Sequence, residues 1–416
     1  MKHIQTLINL IKSYKGEFIY IFSSVVAPII SIFGSIVASI FIEPTEMGII
    51  CNCLLVGTYA TFLQLGVFNG LNRNIAYYKA KNDLSVMQEM VNTSHTVAIV
   101  VSVIGCVIGV IFGSFVSDKG LVYISGIVLL LCNLIFTPFS THYETTYRSG
   151  QEFQRLGIIK FKESFVYSIV VFLPALMGYM GKIVSDVIKT IYGFFLRAKS
   201  VPISANGKGS IWCYKELVKV GIPMLISGYV WSVFQVADQT YISANFGEEQ
   251  LGLYTLSRYC NMAFMILPQA INSVLYPKAA ARYGKTGDPK ILRKFWSKSI
   301  ILYSLIMIPL VGLLYIVAPL IVPYVMPKYV GGIECMKINL ISCISYIYMG
   351  PSVIFGTLRK NNMFIILITS CLVIFWISVT VFGVIFTTPE AVAYLRMVLS
   401  FLLSISTIIL SRQYIS

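Results

Sequence analysis

Charge is scarce in this chain of 416 residues: Asp, Glu, Lys and Arg together make up 12% of it, where a soluble domain carries about 25%. So little solvating surface excludes a soluble enzyme, a secreted disulfide scaffold and a disordered chain. Acid is scarcer than base, 17 residues against 32, which leaves a formal net charge of +15. Histidine is limited to His3, His95 and His142, and the nine cysteines contain no CxxC pair, Cys51 and Cys53 being two apart. That inventory offers no metal or redox site. Cys106, Cys132, Cys260 and Cys371 lie inside apolar runs, where a thiol behaves as a small hydrophobe. There is no Asp-x-Asp pair for a metal-bound sugar nucleotide and no Gly-x4-Gly-Lys phosphate loop, so no nucleotide cofactor and no direct ATP drive are expected.

What is abundant is apolar: 57% of residues are hydrophobic and the mean hydropathy is +0.79. Since about 20 apolar residues cross a bilayer, the chain reads as an all-α polytopic membrane protein. Twelve candidate helices cover 18–42, 47–70, 95–117, 120–143, 160–181, 183–197, 220–246, 251–276, 299–323, 329–357, 363–386 and 390–411. The first apolar run is too long for a signal-peptide core and is read as a retained helix. The sixth helix is short and holds Asp186 and Lys189, and Gly350-Pro351 interrupts the tenth.

With the N-terminus inside, 25 of the 32 basic residues fall in cytoplasmic segments, while external loops hold only Lys119, Lys182, Lys328 and Lys337. Such a bias follows the positive-inside rule and places both termini in the cytoplasm. The net positive charge then belongs to basic inner loops rather than to a nucleic-acid surface. Seven bases between Lys278 and Lys298 are expected to meet anionic lipid headgroups.

The chain also repeats itself. Arg73-Asn-Ile-Ala76-Tyr-Tyr78, continuing to Asp83, matches Lys278-Ala-Ala-Ala281-Arg-Tyr283, continuing to Asp288, in a shared base-x-x-Ala-x-Tyr-x4-Asp pattern. Thr146-Tyr-Arg148 is echoed by Thr357-Leu-Arg359, and Glu46-Met-Gly48 by Gln250-Leu-Gly252. These echoes at equivalent helix ends divide the chain into a six-helix half at 1–197, a cytoplasmic linker at 198–218 and a second six-helix half at 219–416. Such a parallel 6+6 repeat points to a carrier working by alternating access.

Together with Lys219-Val-Gly221-Ile-Pro223, the later Asp238, the turn Gly247-Glu-Glu-Gln-Leu-Gly252-Leu-Tyr254 and the Glu144-to-Arg155 stretch, the repeat resembles the polysaccharide flippases of the Wzx type. These share a superfamily with multidrug/toxin extruders (the MATE/MOP flippase superfamily) and with the lipid II flippase. The resemblance covers essentially the whole chain, although lipid II flippases usually carry two helices more. It implies translocation of an undecaprenyl-pyrophosphate-linked oligosaccharide from the inner to the outer leaflet of a bacterial cytoplasmic membrane. A polysaccharide polymerase and a chain-length regulator are candidate partners, and the drive stays open between an H+ or Na+ gradient and consumption of the product outside.

Ionisable groups inside spans are costly and are functional candidates by default. There are five: Asp186, Lys189, Asp238, Arg258 and Arg396. Asp238 and Arg258 flank the Glu248 turn at equal distance and share a depth, and Asp186 and Lys189 share a helix face. One reading gives a wet cavity in which Arg258, Arg396 and Lys189 hold a pyrophosphate and Asp238 or Asp186 binds a coupling ion; arginine suits phosphate through its planar fork. The other gives two structural ion pairs, Asp186–Lys189 and Asp238–Arg258, with Arg396 snorkelling to the interface. At the cytoplasmic mouth Arg73, Arg148 and Arg359 end apolar spans, either as topological anchors or as a collar that captures the lipid.

Other features read as structural: Pro28, Pro223, Pro268 and Pro309 inside spans, and a Gly105-x3-Gly109-x3-Gly113 close-packing face. Tyr229, Trp231 and Tyr241 read as packing, with sugar stacking the alternative. A major-facilitator carrier would need a Gly-x3-Asp-Arg-x-Gly-Arg-Arg loop where this chain has Gly70-Leu-Asn-Arg73-Asn-Ile-Ala. A drug extruder of the same superfamily is the nearer alternative. A membrane polysaccharide polymerase is the alternative from another class, lacking here a sizeable loop for a catalytic region.

Overall fold

The computed structural model describes residues 2–116, 120–358 and 360–415; the side chains of 2–18, 21, 76, 80, 116, 273, 274, 277, 278, 280, 281 and 284–286 are outside that description. Every regular element among the described residues is helical. In order they are α1 (Lys2–Phe41), α2 (Pro44–Ala60), α3 (Val67–Ala80), α4 (Leu84–Val116), α5 (Leu121–Ser149), α6 (Phe153–Val170) and α7 (Leu173–Lys199). There follow α8 (Ile211–Leu253), α9 (Thr255–Thr286), α10 (Arg293–Val325), α11 (Ile333–Cys343), α12 (Met349–Thr357), α13 (Asn361–Val381) and α14 (Pro389–Gln413). Nine helical segments among the described residues are long and apolar enough to cross a membrane, or ten if the bent α6–α7 pair counts as one. Their outward faces carry Phe115, Leu176, Leu305 and Ile316, all largely exposed, as a lipid-facing surface requires. The chain is an all-α, polytopic membrane protein.

Several boundaries differ from the sequence reading. The second span, expected over 47–70, stops after a 3-10 turn at Thr61–Gln64, because Leu65 and Gly66 both take left-handed φ (46° and 77°). A side chain at Gly66 would put its Cβ 2.3 Å from the Gly221 carbonyl carbon, so that break is held by a backbone-to-backbone contact that no hydropathy window detects. Lys182, expected in an external loop, lies inside α7 and is only 5% exposed. Here the chain turns earlier, at 171–172, and Pro174 starts α7 where its fixed φ favours a first helical turn. Gly178 (φ 55°) then leaves helical geometry, so α7 consists of two helices joined across a kink at that residue. In the tenth span the irregularity precedes Gly350: a 3-10 segment at Ile344–Tyr348 separates α11 from α12.

The chain forms two compact units. Unit 1 comprises Met1–Phe41 and Cys53–Tyr229, and unit 2 comprises Ile42–Asn52 and Val230–Ser416. In unit 1 a buried cluster of Val67, Phe68, Leu71, Ile75, Met90 and Leu217 gathers α3, α4 and the start of α8, and Ile203 and Ala205 from the segment before α8 pack on it. The glycine ladder of α4 closes on α5, with Cβ positions at Gly105 and Gly109 falling 3.2 Å from Leu134 and 2.7 Å from Leu131. In unit 2 a smaller cluster of Ala279, Leu292, Ile354 and Ile415 takes Tyr283 and Trp296 against it.

The repeated motif has a structural explanation. Asp83 Oδ1 accepts the Ser85 hydroxyl (2.9 Å) and the Val86 amide (3.3 Å), capping the start of α4. Asp288 does the same for the 3-10 turn Pro289–Leu292, accepting the Lys290 amide at 2.9 Å. Tyr78 and Tyr283 pack on the unit 1 and unit 2 clusters respectively. Each copy therefore encodes one helix end, one anchoring tyrosine and one cap. The Glu46-Met-Gly48 and Gln250-Leu-Gly252 echo marks a reciprocal close approach inside unit 2: a Cβ at Gly48 would lie 1.8 Å from Glu248 O, and one at Gly252 1.7 Å from Pro44 O.

This contact is testable by thermal unfolding in detergent. Gly252→Ala forces helix backbones apart and is expected to cost about 2–3 kcal/mol. Gly312→Ala, where nothing stands within 4 Å, should gain up to about 1 kcal/mol from helix propensity. Equal melting of wild type and Gly252→Ala would contradict the packing described.

Candidate functional site

The polar interior of unit 2 is built on periodic faces. Helix α8 presents Gln235 and Asp238, α9 presents Arg258 and Asn261 just after Tyr254, α11 contributes Asn339, and α14 contributes Arg396 with Ser400 one turn on. Arg396 is 4% exposed. Its Nη1 donates to Ser400 Oγ (2.6 Å), its Nη2 donates to Gln235 Oε1 (2.9 Å), and its guanidinium lies 3.9 Å from the Phe234 ring centre. Asp238, 1% exposed, accepts the Tyr254 hydroxyl (2.7 Å) and the Gln239 amide (2.8 Å).

A chain of neutral groups joins the two charges. Asn339 Nδ2 donates to the Tyr254 oxygen at 2.9 Å, Asn261 Nδ2 donates to Asn339 Oδ1 at 3.3 Å, and the Tyr346 hydroxyl bridges Asn261 (3.4 Å) and Gln235 (3.3 Å). The Asp238–Arg258 pair that their shared depth allowed does not form. Arg258 is half-buried and donates to Cys51 Sγ at 3.3 Å, a weak acceptor. Arg396 is enclosed rather than snorkelling.

In unit 1 the Asp186–Lys189 pair does not form either. Asp186 is bound at 2.6 Å by Lys182, one turn before it. Lys189 instead donates to Ser31 Oγ on α1 (2.9 Å) and stands 4.3 Å over the Tyr167 ring. Tyr167 OH reaches Asp186 Oδ1 at 3.4 Å. Further along the same face of α7, Arg197 pairs with Glu163 of α6 at 2.7 Å.

Of the expected mouth residues, Arg73 is exposed on α3, and Arg148 is tied to Glu144, which also binds Lys160 at 3.0 Å. Arg359 lies outside the described residues. Trp231 packs edge-on to Tyr348 with ring centres 5.9 Å apart, in line with a packing role. Buried His142 meets Ser94 through Nδ1 at 2.7 Å and faces His95, ring centres 5.4 Å apart. Among the described residues no three His, Cys, Asp or Glu side chains are grouped to hold a metal ion.

Among the described residues two cavities open in unit 1. One of about 260 Å³ lies between α2, α4 and α5, lined by Thr58, Gln64, Val101, Asn133 and Thr137 among others. A second of about 420 Å³ shares Gln64 and Val101 and is bounded by Thr96 and Tyr214. Neither is lined by a charged residue.

The residues missed from sequence are Lys182, Glu163, Tyr167 and Arg197 in unit 1, and Gln235, Tyr254 and Asn339 in unit 2. For unit 1 a signal existed: Lys182, Asp186, Lys189, Gly193 and Arg197 recur at spacings of four, three, four and four, one face of one helix. The neutral partners of unit 2 carried no such pattern.

The sequence matches the model of a family described as polysaccharide biosynthesis proteins over residues 36–328. No curated protein matches it. Among solved structures, a multidrug resistance MATE family transporter of the MOP superfamily in an inward-facing conformation is similar with a TM-score of 0.78 at 14% identity, covering 95% of this chain and 98% of that one. Its outward-facing counterpart gives 0.70 at 14% identity, over 97% and 96% of the two chains. A MOP superfamily transporter from Pyrococcus furiosus Vc1, whose binding pocket is described as having reverse polarity suggesting a different function, gives 0.69 at 14% identity over 97% and 96%. These likenesses establish a shared fold.

The re-sorted pairing can be measured directly. In a double-mutant cycle read by thermal unfolding, Asp186→Asn should couple strongly to Lys182→Met, by about 2–3 kcal/mol, since removing one partner strands a buried charge. Coupling of Asp186→Asn to Lys189→Met should be clearly smaller. The reverse order would restore the pair that the sequence alone favoured.

Proposed function

The chain belongs to the polysaccharide biosynthesis protein family, and from that premise we propose that it is a flippase carrying an undecaprenyl-pyrophosphate-linked oligosaccharide across a bacterial cytoplasmic membrane, from inner to outer leaflet. The observation that carries this reading is a set of cations without carboxylate partners. Among the described residues, Arg258, Arg396 and Lys189 meet only sulfur, neutral oxygen and aromatic faces. Lys182, Arg197, Arg148 and Lys160 are each paired with an acid. Uncompensated positive charge in a low-dielectric interior is expensive. It is the environment in which a pyrophosphate gains most from charge-assisted bonds.

Arg258 is the residue best suited to touch substrate, because it is half-exposed and held by a single weak bond. Arg396, enclosed by its network, contributes field and rigidity. Asp238 is a candidate ion-coupling carboxylate. The basic bias of the loops that the sequence places inside supports cytoplasmic termini, contact with anionic headgroups, and capture of the lipid near Arg73, Arg148 and Arg359. A polysaccharide polymerase and a chain-length regulator fit as partners of a carrier that delivers repeat units outside.

A second reading is favoured by the two uncharged cavities of unit 1: export of an amphipathic small molecule. The experiment that separates the two uses the full chain in liposomes with a fluorescent undecaprenyl-pyrophosphate-oligosaccharide and an external quencher. Wild type should move the lipid, and Arg258→Ala should slow it by about tenfold or more, the worth of one charge-assisted bond, with unchanged melting. Arg396→Ala should lose both transport and stability. A stationary lipid beside a transported cationic dye would favour the extruder.

A further inference from the structure

Uncharged polar side chains line the first cavity of unit 1 in a regular pattern. Asn133, Thr137 and Thr141 follow one another at intervals of four on α5 and so form one stripe. Thr58 on α2, with Thr61 and Gln64 in the 3-10 turn that ends it, makes a second polar wall of the same chamber of about 260 Å³. Phe68, Val101 and Leu130 supply apolar surface between them. Gly57 keeps the chamber open: it belongs to the lining, and a Cβ there would meet nothing within 4 Å.

The hydrogen-bonding capacity of these walls is largely unused. Among the described residues neither the Gln64 amide nor the Thr137 hydroxyl has a partner. Asn133 gives one amide N–H to the Leu129 carbonyl at 2.9 Å and keeps its Oδ1 as an acceptor. Thr58, Thr61 and Thr141 each donate their hydroxyl to a carbonyl of the preceding turn (3.0, 2.7 and 2.9 Å), so toward the chamber they can only accept. At membrane depth such groups need partners that lipid does not supply.

The pattern selects the chemistry of the occupant. Walls rich in acceptors suit hydroxyl groups, which donate as well as accept, and oppose carboxylate or phosphate oxygens, which only accept. Water would meet the polar walls but makes no use of the apolar surface. A pyranose does both, having a rim of hydroxyls and a C–H face. Its ring with hydroxyls displaces about six waters, roughly 180 Å³ at about 30 Å³ each, so a chamber of about 260 Å³ takes one sugar residue. The rest of a glycan can continue past Gln64 and Val101, which also line the second cavity, where Val100 and Ile104 are exposed.

We propose that this cavity is a subsite for one uncharged sugar of the carried oligosaccharide, a neutral hexose or N-acetylhexosamine, and that it rejects a uronic or other acidic sugar. As a cargo pocket the subsite rests on the flippase reading. Gln64 and Thr137 donate to and accept from the sugar hydroxyls, Asn133, Thr58, Thr61 and Thr141 accept from them, and the C–H face lies on the apolar wall. An acidic sugar would bring a carboxylate to a chamber with no base in its lining, and an unpaired carboxylate removed from water is costly.

The test begins with binding, on the full chain in nanodiscs. Saturation-transfer NMR compares the methyl glycosides of glucose, galactose, mannose and N-acetylglucosamine with methyl glucuronide. At least one neutral glycoside should receive transfer and the glucuronide none. Gly57→Leu fills the chamber from a position with open space, and should abolish transfer while melting no lower than wild type. Gln64→Met keeps the side-chain length without its hydrogen bonds and should weaken the glycoside by about tenfold, the worth of one buried hydrogen bond. Equal transfer to the glucuronide, no transfer to any neutral glycoside, or undiminished transfer in Gly57→Leu overturns the subsite. Nile red bound by wild type and lost in Gly57→Leu, with every glycoside unbound, assigns the chamber to an amphipathic small molecule instead. Should Gly57→Leu fail to fold, Gln64→Met/Asn133→Leu adds no bulk at Gly57, and undiminished transfer there overturns the subsite equally. In the lipid assay, undecaprenyl-pyrophosphate carrying a neutral oligosaccharide should outpace the same lipid carrying a uronate. Glycoside binding beside a stationary lipid defeats the flippase reading and leaves the sugar subsite; equal movement of both lipids removes the subsite and leaves the flippase.

Discussion

A charged side chain in hydrocarbon has to be met by groups of the protein itself, because lipid supplies neither donors nor acceptors. That constraint organises both units. In unit 2 it draws Gln235, Ser400 and the Phe234 ring around Arg396, and Tyr254 and the Gln239 amide around Asp238. The two charges are not in direct contact; they are separated by a chain of tyrosine and asparagine side chains whose hydrogen bonds run from α8 through α9 and α11. Neutral dipoles can reorient where a locked ion pair cannot, so the arrangement holds two opposite charges in one core without fusing them.

Unit 1 meets the same constraint with charge against charge. Its acids and bases line facing stripes of α6 and α7, and among the described residues α1 brings Ser31 to Lys189 and the Tyr20 ring to Lys160. A helix that buries three bases and an acid on one face is stable only if its neighbours bring the complementary groups to the same heights. Here Glu163 stands beside Arg197 and Tyr167 beside Lys182 and Lys189. The turn at 171–172 fixes that register, and a shift of one residue on either helix would rotate each stripe by about a quarter turn.

Much of the fold was legible because membrane helices announce themselves by length and apolarity, and the repeat announced equivalent helix ends. The failures share one cause: they depend on contacts distant in sequence. The break after Gln64 exists because Gly66 meets Gly221. Lys182 falls in a loop when apolar windows end one span at 181 and start the next at 183, whereas the chain turns at 171–172 and the helix after the Gly178 kink runs through Gly181 to place the Lys182 ammonium on Asp186. Composition located the five intramembrane charges but not their partners, since the neutral residues that satisfy Arg396 and Asp238 have no distinguishing pattern. The periodic stripe of α7 was present in the sequence and is the one part of the site that spacing alone could have supplied.

The two ways of housing charge have different consequences for a carrier. A cation compensated by neutral oxygen or sulfur retains its full charge toward an incoming anion, which can outcompete a thiol or an amide oxygen for the same donors. Arg258, bonded among the described residues to Cys51 alone, is the extreme case. A cation already paired with a carboxylate, as Lys182 is with Asp186 and Arg197 with Glu163, offers little to an anion. Paired charge is therefore suited to holding helices in register, and charge met by neutral groups to receiving an anion.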